Sequence, residues 1–444
     1  MRRHALAATL AASLALAPSA GAVETLTPEN GFAIEARYEY LDGAFRAGTS
    51  GDHGILVNRI EVLLGDSFAT EGGTLGAQLE LWDTRAFLAD GATPVTTGSV
   101  NPLEPVNAWL SWTDDNGTFR VGRLTQDLGS RRLVGRNIYR NTTNTFTGAD
   151  WRGDVGPWRL QALLYSPDAR RPDSRDALRD NEAQLDEVSF RRLFYGLYAQ
   201  RQLDARTRLE LYTYHLDEAD TDATESRNRR ITTPGVRWLR SAPDGGFDAE
   251  LEVALQFGEV RATAAPTDTN DLDHFAHLVH AELGWRAAAD APRASLEFAW
   301  ASGDDDPADG DSGTFDSLYG VIVPDYGPSG IWSVLNRRNT FSGVARVEGR
   351  PRPNLLVHAL YRHIRLAEEE DAWASANLRD PTGASGDEVG DTMEARLRWW
   401  TFEDRVRVEA GWVHFAKGDF ARTVPGAPDD GDVNYFWFTT RIAF

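Results

Sequence analysis

The sequence predicts an all-β fold: a transmembrane antiparallel β-barrel, most simply of eighteen strands, with short periplasmic turns and long extracellular loops. Three observations predict it. Apolar and polar residues alternate with a period of two over many segments of about ten residues. The connections between those segments alternate between short and long. The chain closes on "NYFWFTTRIAF", an aromatic strand ending at Phe444.

Taken in order, the first twenty-two residues come before the barrel. Arg2, Arg3 and His4 form a charged start, Ala5 to Pro18 an apolar run, and Ala20-Gly21-Ala22 a small-residue cleavage site. Together they read as a secretory signal peptide over 1–22, with a mature chain from Val23. The apolar run is shorter than the roughly 20 residues a spanning helix needs. Residues 23–444 then read as one barrel domain.

The strand pattern is clearest from Phe247, where Phe247, Ala249, Leu251, Val253, Leu255 and Phe257 share one face and Asp248, Glu250, Glu252 and Gln256 the other. A strand satisfies that period and a helix does not. It recurs at Met393, Ala395, Leu397 and Trp399 against Glu394, Arg396 and Arg398, and at Val406, Val408, Ala410 and Trp412 against Arg405, Arg407 and Glu409. Eighteen such segments fall near 32–40, 54–64, 74–83, 105–113, 118–124, 145–152, 157–166, 190–201, 206–215, 230–240, 247–257, 273–286, 294–302, 340–348, 354–364, 391–400, 405–415 and 434–444. "DDNG", "GDVGP", "LDAR", "APDGG", "RPRP" and "TFED" are short connections, and Asp, Gly, Pro and Asn dominate the long ones. A soluble β-sandwich or propeller would have to explain eighteen amphipathic strands without a repeat motif.

The last strand is expected to turn Phe436, Phe438, Thr440, Ile442 and Phe444 to lipid and Tyr435, Trp437, Thr439 and Arg441 to the lumen. The pattern of Tyr435, Phe436, Trp437, Phe438 and Phe444 also resembles the C-terminal signal of outer-membrane proteins, which implies recognition by the barrel-assembly machinery. Eighteen strands enclose more space than strand side chains fill, which calls for a polar, water-filled lumen narrowed by any loop that folds in.

Composition excludes several functions. There is no cysteine, hence no disulfide scaffold and no thiolate chemistry. Without Arg2 and Arg3, 44 basic residues face 67 acidic ones, a formal charge of −23, which argues against a nucleic-acid partner. Lys417 is the lone lysine.

Against that charge, "VGRLTQDLGSRRLVGRNIYRNTTNTFTGADWRG" (121–153) carries Arg123, Arg131, Arg132, Arg136, Arg140 and Arg152 beside only Asp127 and Asp150. Folded into the lumen, these guanidiniums would meet a passing anion where it loses hydration, and arginine binds carboxylates in a planar fork. The competing reading is a cluster that pairs with inward carboxylates and stiffens the wall.

The succession "GR", "RRLVGR", "RNTTNTFTGADW", with "EFAWASGDDDPADGDSGTFDSLYG" at 297–320, resembles the alginate export family of Gram-negative outer-membrane channels. The resemblance spans essentially the whole mature chain. It implies a monomeric barrel whose narrow, arginine-lined pore passes anionic polyuronate. One position departs from the family: where Asp commonly follows "TF", this chain has Thr147.

Other clusters carry less. Asp304, Asp306, Asp309 and Asp311 could offer calcium ligands, yet no register supplies the central Gly and terminal Glu of an EF-hand loop, and a solvated loop bridging divalent ions to lipopolysaccharide is the plainer reading. On a strand, His277 points away from His274 and His280, which lie about 20 Å apart, so the three cannot share an ion. A turn centred between Phe402 and Glu403 would set Arg398 opposite Arg407 and Arg396 opposite Glu409. That makes Arg398 and Arg407 a second selectivity cluster, because opposed like charges need an anion between them.

The resulting expectation is a passive, anion-preferring channel in the outer membrane of a Gram-negative bacterium, with no enzymatic reaction and no cofactor, for an acidic polysaccharide or oligosaccharide such as alginate. Its partners are outer-membrane lipid, lipopolysaccharide and the assembly machinery. A small-solute porin on the same barrel, or a barrel enzyme or adhesin, is the alternative.

Overall fold

The computed structural model describes residues 30–444 apart from 92, 138, 222 and 223; the signal-peptide reading lies outside the described residues. Among them, eighteen long strands form one closed antiparallel ring: β1 (Gly31–Asp42), β2 (His53–Thr70), β3 (Gly73–Phe87), β4 (Asn101–Asp114), β5 (Gly117–Leu124), β6 (Phe146–Val155), β7 (Trp158–Pro167), β8 (Arg192–Gln202), β9 (Thr207–Glu218), β10 (Arg230–Arg240), β11 (Gly246–Arg261), β12 (Asp271–Arg286), β13 (Arg293–Ala301), β15 (Thr340–Arg352), β16 (Leu355–Arg365), β17 (Glu388–Thr401), β18 (Val406–Lys417) and β19 (Val433–Ala443). A two-residue strand, β14 (Asp311–Ser312), lies in a loop and pairs with β12 in parallel. Every segment read from the sequence coincides with one wall strand.

Each wall strand pairs with the next wall strand along the chain, and β1 closes on β19 in a register running from Ala33↔Ala443 to Asp42↔Asn434. A closed ring leaves no unpaired backbone edge in hydrocarbon, where each unsatisfied group costs several kcal/mol. The period-two pattern sets the faces. On β11, Phe247, Leu251, Leu255 and Phe257 are exposed to the outside while Glu252 and Gln256 are buried within. On β19, Phe436, Phe438, Ile442 and Phe444 face out and Tyr435, Trp437 and Thr439 in. Phe444 seals the seam: its amide donates to the Phe32 carbonyl at 2.8 Å and the two rings lie 5.6 Å apart.

Among the described residues, turns of a few residues gather at one rim together with Asn30 and Phe444, and nine longer loops gather at the other. Several long loops fold back inside. Three short helices among the described residues sit on the long loops: α1 (Arg175–Arg179), α2 (Val323–Tyr326) and α3 (Asp419–Thr423).

The upper lumen is less polar than expected. One apolar cluster joins Phe45, Trp332, Trp373, Phe415 and Tyr435, and a second joins Phe146, Tyr165, Phe194 and Tyr214 with Leu128, Leu133 and Val134 of an in-folded loop. Tyr319 packs on Phe146 and Phe194 with ring centroids 5.3 and 5.2 Å away. Inward wall positions are apolar there because loops, not water, cover them.

Candidate functional site

Residues 125–145, between β5 and β6, form a strap across the lumen. The Arg132 guanidinium reaches Glu252 on β11 at 2.6 Å, and four residues on, Arg136 reaches Glu80 on β3 at 2.9 Å. Those strands stand eight places apart in a ring of eighteen, close to opposite sides. The strap then docks on the near wall. Arg59 donates to the Arg140 carbonyl at 3.1 Å, Asn141 donates to the Asn58 carbonyl at 3.1 Å, and Arg37 donates to the Tyr139 carbonyl.

The strap is knit to a second in-folded loop, residues 302–339. Tyr319 N donates to Leu133 O at 2.9 Å, Val321 N to Arg131 O at 2.9 Å, and Gly135 N to Tyr319 O at 3.1 Å. Gly320 permits this approach, since a Cβ there would sit 1.8 Å from the Arg132 carbonyl oxygen.

The arginines singled out from the sequence divide into two kinds. Arg123 is paired with Glu104 of β4 and with Asp168 at 3.2 Å and Asp186 at 2.6 Å from the loop after β7, all three carboxylates buried. Arg132 binds Glu250, Glu252 and Asp325. Arg136 binds Glu80 and lies over the Trp82 ring. Arg152 stands inside β6, two residues from Asp150, on whose charge it acts. These charges are largely compensated where they stand.

Arg131 and Arg140 differ. Neither has a carboxylate within ion-pair distance among the described residues. Arg131 sits at a φ of 66° with Asp127 as its acidic neighbour. Arg140 donates from Nη2 to Asn144 Oδ1 at 3.1 Å, and Arg170, from the loop after β7, donates from Nη1 to the same oxygen at 3.1 Å and to the Thr143 carbonyl at 3.2 Å. Two half-buried guanidiniums thus share one neutral acceptor. Burial, and then the charge of Arg170, pushes the Arg140 guanidinium well below its ordinary value. Nothing anionic balances it at contact distance.

The β17–β18 hairpin corrects one expectation. Its register sets Arg398 opposite Glu409, with an ion pair at 2.6 Å, and Arg407 opposite Trp400. Arg396 faces Gly411, not Glu409. The turn falls one residue later than read, because Phe402, Glu403 and Asp404 all adopt positive φ, 51°, 58° and 65°, and carry the chain on before it reverses. Parity is kept, so the side-chain faces are as read. Arg407 does oppose a like charge, but on the other side: Arg441 of β19, with Glu35 and Glu61 taking the two guanidiniums at 2.8 and 2.6 Å.

Thr147 donates to Asp168 Oδ1 at 2.9 Å, so a carboxylate stands beside this position from the next element. In the acidic loop, Asp304 N donates to Asp371 Oδ2 at 3.1 Å, while Asp306 and Asp309 accept from the amides of Ala308 and Asp311. Among the described residues no three of Asp304, Asp306, Asp309 and Asp311 bring ligand atoms within 4.8 Å of one another. Two other groups do, His280 with Glu297 and Asp325, and His363 with Glu388 and Asp391. In the first, both Asp325 oxygens are already taken by guanidiniums. His277 faces outward against the Trp300 ring, 4.4 Å away, while His274 and His280 are buried inside.

Sequence reasoning missed Arg170, Asn144, Arg337 and Asp325. A doubled arginine in "DARRPD" was the one available signal for Arg170.

Comparison with known proteins adds to this geometry. A family model described as alginate export matches residues 29–431. No curated protein matches the sequence. Among solved structures, OccAB2 of Acinetobacter baumannii superposes with a TM-score of 0.64 at 12% identity, over 94% of this chain and 98% of that one. OpdK of Pseudomonas aeruginosa, solved with vanillate, gives 0.61 at 13%, over 94% and 98%. OccK2 (OpdF) of the same organism, solved in complex with glucuronate, gives 0.59 at 13%, over 94% and 97%. At such identities the likeness is one of fold.

Proposed function

The chain belongs to the alginate export family, an outer-membrane channel by fold and family, and from that premise we propose that it passes anionic solutes passively, with an acidic oligosaccharide or polysaccharide such as alginate as its substrate class. The observation that carries this reading is the pair formed by Arg140 on the strap and Arg170 on the loop after β7, two guanidiniums whose hydrogen bonds go to neutral acceptors. Local field at a constriction governs permeation, and net charge does not. The formal charge of −21 is therefore no obstacle. Paired arginines around the wall hold the strap; unpaired ones meet the solute, binding each carboxylate too weakly to retain it.

The glucuronate in the OccK2 complex lends a uronate as a test ligand for this chain. Planar-bilayer reversal potentials in a salt gradient, with block by uronate monomers and oligomers, test the reading. Anion preference with stronger block by oligomers is expected, and clear cation preference refutes it. A second reading, a porin for small organic anions, is favoured by the apolar packing of the upper lumen. Monomers then block as well as oligomers do.

A further inference from the structure

The strap is useful as a selectivity element only if it is held at a fixed height and angle. Its covalent anchors, the ends of β5 and β6, are neighbours on one side of the ring and leave the crossing segment unsupported. Ion pairs to β3 and β11 and backbone bonds to the second in-folded loop supply support, and one carboxylate ties several of these together.

Asp325 lies on α2 and is 4% exposed. It accepts a bidentate pair from Arg132, Nε to Oδ2 at 2.9 Å and Nη2 to Oδ1 at 2.9 Å. Arg337 donates to it from Nε at 3.2 Å and from Nη2, and donates from Nη1 to the Val321 carbonyl at 2.8 Å and to the Arg132 carbonyl at 3.3 Å. Arg362 of β16 donates to the Asp325 backbone carbonyl. One residue thereby joins the strap, the second loop and β16, and through Arg132 it reaches β11 at Glu252.

We infer that Asp325 is the positioning residue of the constriction: it fixes where the strap crosses the lumen and so sets selectivity without touching the solute. The inference rests on the channel reading above. Its physical basis is that removing this buried carboxylate leaves Arg337 a buried cation with no other carboxylate within ion-pair distance among the described residues, and leaves Arg132 held by Glu250 and Glu252 alone. Arg132 and Arg337 would then separate, and the segment they hold would move with them.

The test exploits opposite signs. Removing a negative charge near a constriction, with no change of shape, raises anion preference. Loss of the positioning contact releases the strap, giving a noisier open state, higher conductance and an anion-to-cation permeability ratio that falls toward unity. Single-channel recordings of Asp325→Asn are expected to show the second pattern, and Asp325→Glu, which restores the charge, to recover quiet openings. Should Asp325→Asn not reach the heat-modifiable folded form, Arg337→Gln replaces it, since Arg132 still matches the carboxylate and a milder version of the same pattern is expected. A quiet variant of unchanged conductance and increased anion preference overturns the inference. A wild-type channel that prefers cations removes the functional reading instead, and the comparison of conductance and noise between variant and wild type still decides the role of Asp325.

Discussion

Replacing Arg140 and Arg170 together by Gln tests the selectivity site with little disturbance of the fold. Both side chains donate to Asn144 Oδ1 at 3.1 Å, so a carboxylate lodged between them would stand about 4 Å from two positive charges. At an effective permittivity near 20, each such contact is worth about 4 kcal/mol before desolvation and salt reduce it. If a quarter survives, about 1 kcal/mol remains for each guanidinium, roughly a fivefold change in anion occupancy apiece. Gln keeps donors and most of the side-chain length, and the neutral partners lose no ion pair. Reversal potential and oligouronate block are the assay, with circular dichroism and heat-modified gel mobility as folding controls. A folded double variant with wild-type selectivity and block would place the pore lining elsewhere. The contrasting change at Arg131, Arg132 and Arg136 is less clean: it leaves Glu80 without its arginine and takes one from each of Glu252 and Asp325, and breaking buried pairs of this kind costs about 3–5 kcal/mol each. Altered selectivity in that triple variant would report a displaced strap as readily as a lost charge.

Deleting Phe444 removes the Phe32 ring contact and the amide bond to the Phe32 carbonyl, and folded protein recovered from outer membranes should fall; normal yield and gel mobility would count against this. Gly320→Ala drives a methyl group into the Arg132 carbonyl and should cost about 1–3 kcal/mol of loop packing, seen as faster proteolysis within 302–339 while the barrel persists. Burial, Asp371 and Asp309 push the Asp304 carboxyl up to about 6 from an ordinary value of 3.8. The folded loop therefore takes up a proton before the unfolded one would, and stabilisation of the loop appears as pH falls through 6 and is lost as pH rises above it. Carboxyl NMR of Asp304 should titrate near 6, with a midpoint near 4 refuting the assignment.

The wall was legible because each strand must show lipid one face and the lumen the other, and that demand is written locally at every second residue. The site was legible only in part. Arg131, Arg132, Arg136 and Arg140 stand out by local composition, but what each one meets is decided far away: Arg132 finds Asp325 across 193 positions of sequence. Whether an arginine is matched or unmatched is a long-range property that no window reveals. Arg170 meets Asn144 across 26 positions, a pairing equally invisible to local composition. The Arg398 register failed by two because turn geometry at Phe402, Glu403 and Asp404, all non-glycine residues at positive φ, contradicts ordinary turn preferences.

The seam between β1 and β19 also orders events during biogenesis. The first strand made has no partner on one side until the last is finished, and ten paired positions, from Ala33↔Ala443 to Asp42↔Asn434, form only then. A chain cut short at any earlier strand would carry two open edges into hydrocarbon, with no partial structure in which that cost is spread thin. Only with the last strand in place does the wall lose its final open edge, so closure is a single late event that no shorter chain can reach by degrees.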